Sequence, residues 1–332
     1  MAGLRIGVVG LGLGRHHVAA YLASSDVGEI KVCDPNPSAI DAVLRVGSRV
    51  VAGYADLDAM LGDGPLDAVS IVTPDHLHRP HAVACLRAGC HVLLTKPLAT
   101  DLIDAMHIVA QAEQARLKLM VAQECRFRSR FRRLKALIDA GTFGEIINLR
   151  IDSIWDKRAQ FARAPWYADK ATGRSVVVGT AIHEIDLLRH LIGRPILRVQ
   201  AVGNALGPLD FHAEKNVAAL FEFEGGAIGQ VTVSYAARFP PAGEAEDPLR
   251  LIGTRGIAVG DRFASDDDHE WRSLPVDETP HIVGTHACVT AFVDAIVRDV
   301  SVPVDGRDAM ASLAACIAVD EAVRSGIRQV LR

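Results

Sequence analysis

Residues 5–17, RIGVVGLGLGRHH, constrain this chain more than any other stretch: an apolar strand runs into glycines, and the pattern then turns helical. Ile6, Val8 and Val9 are β-branched and suit a strand buried on both faces of a parallel sheet. Gly10 and Gly12 follow as G-x-G. The first permits a tight turn, and the second lets main-chain amides at a helix N-terminus approach a diphosphate. In this reading Gly10, Leu11, Gly12 and Leu13 form the phosphate-binding turn, with the helix expected from about Arg15. The dinucleotide fingerprint G-x-G-x-x-G would place its third glycine at Arg15, whereas the chain has Gly14. Either the helix enters differently or one residue of the turn is missing. The competing reading is an ordinary strand-to-helix turn. Residues 29–34, EIKVCD, weigh against it, because they form a second apolar strand ending in an acid. Asp34 stands near the spacing at which a carboxylate holds adenosine ribose hydroxyls. It would repel a 2′-phosphate, and residues 35–39 offer no arginine to accept one, so NAD is favoured over NADP.

A length of 332 residues exceeds what one core usually spans and implies two domains, drawn at 1–122 and 123–332, with the last helix free to pack back on the first. An apolar share of 49% against 23% charged marks a globular chain, and a net charge of −4 gives no general attraction to nucleic acid or membrane. Six cysteines, at 33, 85, 90, 125, 288 and 316, form no C-x-x-C pair and read as reduced, mostly buried thiols of a cytoplasmic protein. The first strand begins within five residues of Met1, with no basic-then-apolar leader before it. Apolar runs are expected to be cut before the ~18 residues of a membrane span.

Strand and helix patterns alternate through the first third, which means a parallel, doubly wound sheet. Asn36-Pro37 opens a helix, 57–61 is a short helix and 66–73 a buried strand. A helix with Pro80 in its first turn runs to the stop at Gly89; strand 91–95, helix 100–116 and strand 118–123 follow. Ligands of such sheets sit beyond the carboxyl ends of the strands. The glycine turn, Asp34, residues 73–75 and Lys96-Pro97 should therefore converge on one crevice. From residue 145 the grammar changes to long alternating strands: 145–155, 196–203, 215–223, 227–236 and 249–260. Hairpin connections at 224–226 and 253–256 make this an antiparallel sheet, accompanied by helices at 181–191, 286–298 and 308–325. Gln230, Thr232 and Ser234 alternate with Val231, Val233 and Tyr235, so one face is polar and open, and a second subunit would cover it as a homodimer or homotetramer. The fold class is α/β, with a second α+β domain built on a large, mostly antiparallel open sheet.

Five stretches together resemble the glucose–fructose oxidoreductase / inositol dehydrogenase (Gfo/Idh/MocA) family of NAD(P)-dependent enzymes: the glycine turn with His17, CDPNP at 33–37, TPDHLH at 73–78, TKP at 95–97 and GTAIHEID at 179–186. The resemblance covers nearly the whole chain and implies an N-terminal Rossmann domain. It also implies a hydroxyl-bearing sugar or cyclitol substrate, and places Thr73, Asp75 and His78 at the nicotinamide end of the crevice. Two positions depart from it. Thr95 replaces the glutamate of the usual E-K-P, and Gly179 replaces the first aspartate of D-x-x-x-H-x-x-D, in which the lysine, that aspartate and the histidine serve catalysis. Lys96, His183 and Asp186 are kept.

Oxidising a secondary alcohol needs a base for the hydroxyl proton and positive charge near the developing alkoxide. His183 is the expected acid/base and Lys96 holds the substrate oxygen, or a desolvated Lys96 takes the proton itself. The competing readings are a packed helix-terminal histidine and a solvated strand-end lysine. Asp186, one turn beyond His183, either orients the imidazole or packs the helix. Arg126 matches a family arginine near the substrate, and Trp155, Trp166 and Tyr167 either stack on a sugar ring or fill an interface. His76, His78 and His81 beside Asp75 have metal-like spacing, but the chemistry needs no metal. The arginines at 126–133 read as a solvated helix beginning near Ser129, not as a nucleic-acid patch. Residues 266–268 read as an exposed acidic loop. Gly179 and Thr95 also keep two rivals open: a non-catalytic NAD-binding sensor, and an enzyme using NAD transiently for elimination or glycoside cleavage.

Overall fold

A computed structural model describes residues 3–238, 249–267 and 269–331. The chain divides into two compact units, Met1–Phe127 with Thr279–Met310, and Arg128–Glu278 with Ala311–Arg332.

The first unit alternates β1 (Leu4–Val9), α1 (Leu11–Ala23), β2 (Val27–Cys33), α2 (Pro37–Leu44), β3 (Val50–Tyr54), α3 (Leu57–Gly62), β4 (Ala68–Ile71), α4 (His78–Arg87), β5 (His91–Thr95), α5 (Leu102–Ala115) and β6 (Leu119–Ala122). Its strands pair in parallel in the order β3-β2-β1-β4-β5-β6. The order reverses between β1 and β4, where such sheets bind ligands. β4 and β6 are buried along their whole length, as strands covered on both faces must be. Asn36 caps α2 by accepting from Ser38 N, and Asp101 caps α5 by accepting from Asp104 N. Residues 50–54, which have no clean alternation, form a strand that the pattern reading omits. α1 begins at Leu11, not near Arg15, because Gly10 alone makes the turn and the helix follows at once.

The second unit contains α6 (Ser129–Asp139), β7 (Ile146–Ile154), α7 (Arg158–Arg163), α8 (Ile182–Ile192), β8 (Ile196–Asn204), β9 (Asn216–Phe223), β10 (Ile228–Ser234), β11 (Leu249–Gly253), β12 (Gly256–Val259), β13 (Arg262–Ser265) and β14 (Arg272–Ser273). The chain ends with α9 (Pro280–Val297), α10 (Gly306–Ser325) and β15 (Gln329–Val330). Among the described residues the second sheet runs β14-β13-β12-β11-β7-β10-β9-β8-β15. It is mostly antiparallel, as expected, but β7 and β10 pair in parallel. Hairpin-joined β9 and β10 insert beside β7 after a long helical crossover, which delivers β10 in the same direction as β7. Gly225 and Gly226 take φ of 85° and 93°, the left-handed backbone that a two-residue hairpin turn requires. Val231, Val233 and Tyr235 are buried while Gln230, Thr232 and Ser234 are half-buried, so the expected two-faced strand is present.

α9 corrects one expectation. It is 18 residues long with a mean hydropathy of 1.3, so by length and composition it reaches what a membrane span needs. Cys288, Val289, Phe292 and Val293 on this helix join the core around Ile6, Val8 and Ile30, and the helix carries His281, His286 and Asp294. Core packing accounts for its apolar face. All six cysteines are free and buried, and burial pushes the Cys33 thiol up to about 12. Asp266 and Asp267 are exposed; Asp268 lies outside the described residues.

Candidate functional site

The glycine turn is built by exclusion. Gly10 has φ 85°, and a Cβ there would lie 2.4 Å from the Val72 carbonyl oxygen, so both backbone angle and space demand glycine. A Cβ on Gly12 would meet nothing within 4 Å, which leaves the start of α1 open to a ligand. A Cβ on Gly14 would meet Val8 Cγ1 at 3.2 Å, so Gly14 performs the close helix-to-strand packing expected of the third fingerprint glycine, one residue early. The first amides of a helix have no partner within it. Leu11 N donates to Asp34 Oδ2 at 2.7 Å and Asn36 N to Asp34 Oδ1 at 2.8 Å. Asp34 is thereby fixed at the end of β2 beside the turn, with lone pairs remaining for hydroxyl donors. Leu13 is half-exposed on the same turn. These residues fit a dinucleotide: an open helix N-terminus for the diphosphate and an oriented carboxylate for the ribose.

Below the turn, His17 Nδ1 lies 3.2 Å from Ser70 Oγ, which also pairs with Tyr21 Oη at 2.7 Å. Burial pushes His17 down to about 3, so the ring is neutral. At the ends of β4 and β5, His78 is fully buried between two carbonyls, with Nδ1 2.7 Å from Pro97 O and Nε2 3.0 Å from Thr73 O. Burial lowers it to about 4, against the carbonyls, which favour the cation. A neutral ring has one N–H to donate, and the shorter contact to Pro97 O takes it. His78 thus joins Thr73 to the cis Lys96–Pro97 turn from behind. Thr73 Oγ1 lies 3.2 Å from His81 Nδ1, and Asp75 is buried at the start of a 3-10 turn over Asp75–Leu77. Lys96 is half-buried at the end of β5, where Thr95 donates to Ile71 O at 3.1 Å and so replaces the usual glutamate with a strand-to-strand bond. Arg126 is nine-tenths buried and pairs with Asp308 at 2.7 Å.

In the second unit, a π-helical turn over Val177–Ala181 leads directly into α8, and His183 is half-buried near its start. Asp186 is fully buried and accepts from Ser312 Oγ at 2.8 Å, while Arg189 donates to the same hydroxyl at 2.6 Å. The carboxylate is thus engaged with α10, in keeping with the packing role. Trp155 is exposed, donates to Ser153 Oγ at 2.8 Å and lies under Lys157 Nζ at 4.3 Å. Trp166 stacks on Tyr167 at 3.9 Å, and Tyr167 on Phe161 at 5.8 Å. Sequence reasoning misses Arg174, which is buried against this stack with Cζ 4.7 Å from the Tyr167 ring centre and 5.4 Å from that of Trp166. Its Nη2 donates to Gly179 O at 2.6 Å. Only the glycine five residues on, standing where a side chain was expected, hints at it.

Residues 4–123 match the family model of an oxidoreductase family with an NAD-binding Rossmann fold, and residues 131–259 match that of the GFO/IDH/MocA C-terminal domain. The chain is 27% identical to inositol 2-dehydrogenase 3 of Saccharopolyspora erythraea, over 97% of this chain and 94% of that protein. It is 29% identical to 1-carboxy-3-chloro-3,4-dihydroxycyclohexa-1,5-diene dehydrogenase of Comamonas testosteroni, over 76% of this chain and 65% of that protein, just under two thirds of its length. The WlbA dehydrogenase of Bordetella pertussis, solved with NADH and UDP-GlcNAcA, superposes with a TM-score of 0.85 at 25% identity, covering 100% of this chain and 98% of that one. With a fingerprint turn at the switch point of its parallel sheet and both domain models matched in order, the chain belongs to the GFO/IDH/MocA family of oxidoreductases, and its first unit is an NAD-binding Rossmann domain.

Proposed function

We propose that this chain is an NAD-dependent dehydrogenase that oxidises a hydroxyl-bearing carbon of a sugar, cyclitol or sugar derivative, with Lys96 and His183 at the reacting centre. The observation that carries the reading is the glycine turn with Asp34 bonded directly to its first amide. Bound NAD supplies the hydride acceptor. In the forward direction the substrate C–H and O–H are lost as a hydride and a proton, leaving a carbonyl. His183 accepts the hydroxyl proton, and the Lys96 ammonium donates a hydrogen bond to the oxygen as negative charge grows on it. Thr73 and Asp75 edge the crevice, and His78 positions Thr73 and Lys96 without touching a ligand. Arg126 holds the wall through Asp308, Asp186 seats α8 beneath His183, and Trp155 and Trp166 offer ring faces to the substrate. The relatives' names include a cyclitol dehydrogenase and one acting on a carboxylated ring diol, which supports this substrate range. We further propose a cytoplasmic homo-oligomer assembled through the open face of the second sheet.

The test is a panel of polyols and aldoses with NAD and NADP, followed by NADH absorbance. We expect oxidation of at least one member with NAD, and at least tenfold poorer use of NADP because Asp34 faces the 2′ position. Lys96→Met and His183→Asn should each lower kcat by about 10²–10⁴-fold, the range of a lost acid–base or oxyanion contact, with NAD affinity kept. Normal turnover by Lys96→Met would reject this centre.

A further inference from the structure

Arg174 is a buried charge that this chemistry leaves unused. Taking a guanidinium out of water costs several kcal/mol unless the fold compensates it, and here burial holds Arg174 below the usual arginine range, with Tyr235 partly opposing. The Tyr235 hydroxyl is fixed by Thr180 Oγ1 at 2.7 Å. The backbone is shaped to admit the cation: a Cβ at position 179 would stand 2.5 Å from Arg174 Nε and 2.7 Å from Cζ. Any side chain there would evict the guanidinium. Gly179 precedes His183 by four residues on one continuous helical run, so the two share a face. A π-helical turn sits at that point, a distortion that concentrates at functional sites. The stacked Trp166 and Tyr167 rings meet the guanidinium and leave its in-plane donors for hydrogen bonds.

A planar cation one helical turn from the reacting imidazole is suited to a carboxylate, which it meets bidentately. We infer that Arg174 is a specificity-determining residue that receives a carboxylate carried by the substrate, so the preferred substrates are polyhydroxy acids and carboxylated cyclitols, not neutral polyols. The inference rests on the proposed dehydrogenation and names the substrate class within it. The contrary role is a fastening of the aromatic cluster to the helix.

The two separate on matched pairs, D-glucuronate against D-glucose and D-gluconate against D-glucitol, assayed with NAD. We expect wild-type kcat/KM to favour the acid of at least one pair. Arg174→Gln should shrink that acid-to-neutral ratio by about 100-fold, as loss of a charged bidentate pair would, and Arg174→Lys should restore part of it. Where Arg174→Gln fails to fold, Gly179→Ala, which displaces the guanidinium, should shrink the same ratio. A wild-type preference for the neutral members, or variants that depress both members alike, would overturn the inference and leave the dehydrogenase standing. Should no compound be oxidised although NAD binds, the dehydrogenase reading falls. Calorimetric titration of D-glucarate into the NAD-loaded protein then decides the carboxylate site: binding at least tenfold weaker to Arg174→Gln supports it, and equal or undetectable binding to both proteins rejects it.

Discussion

Asp320 shows how one buried carboxylate makes the second unit sensitive to pH. It accepts from Ser175 Oγ at 2.6 Å, yet burial outweighs that bond and, with Glu214 adding to it, pushes the carboxyl up to about 6. The unfolded chain titrates near 3.8. Between these values the folded protein holds the extra proton, so the contribution is complete below the unfolded pKa and is lost as pH rises through about 6. Asp320→Asn should therefore raise unfolding stability by about 1–3 kcal/mol at pH 8 and by little at pH 4, read from urea midpoints at the two pH values. An equal gain at both would show that Asp320 does not titrate as described. Single residues differ in how legible they are. Gly10 and Asp34 can be read because turn geometry and ribose recognition each demand one residue type at one spacing. Arg174 cannot, because its meaning lies in the missing side chain of Gly179 and in rings brought to it by the fold.

Elements are legible where local rules act alone. α2, α4 and α5 start and stop where an N-cap, a first-turn proline or a glycine with positive φ places them. α1 starts about four residues before the fingerprint spacing puts it, since that spacing assumes a turn one residue longer than this chain has. The parallel pairing of β7 with β10 is invisible for another reason. Alternation reports which face a strand buries, but not the direction of its neighbour. α9 passes a membrane-length test because a helix packed into a core and one immersed in lipid share the same composition, and the core contacts of Phe292 and Val293 tell them apart.

For the molecule as a whole, the open face of the second sheet is the feature one chain does not complete. Cross-strand register puts Val202 beside Ala218, Leu220 beside Gln230, and both Ile228 and Ile252 beside Asn148, so the four exposed apolar residues lie on one face. Arg150 and Arg250 are directly paired on that face. A second copy related by twofold symmetry would cover these apolar residues with their own counterparts. Wild type should sediment as a dimer or tetramer and a Val202→Asp, Leu220→Asp variant as a smaller species that still binds NAD. A wild-type monomer at micromolar concentration would refute the assembly. The central claim concerns the first unit, and a crystal structure of the NAD complex tests it most directly. We expect the diphosphate on the amides of the Gly10–Leu13 turn, both adenosine ribose hydroxyls on Asp34, and the nicotinamide ring beside Lys96 and His183. A dinucleotide bound elsewhere, or a ring remote from both side chains, would contradict it.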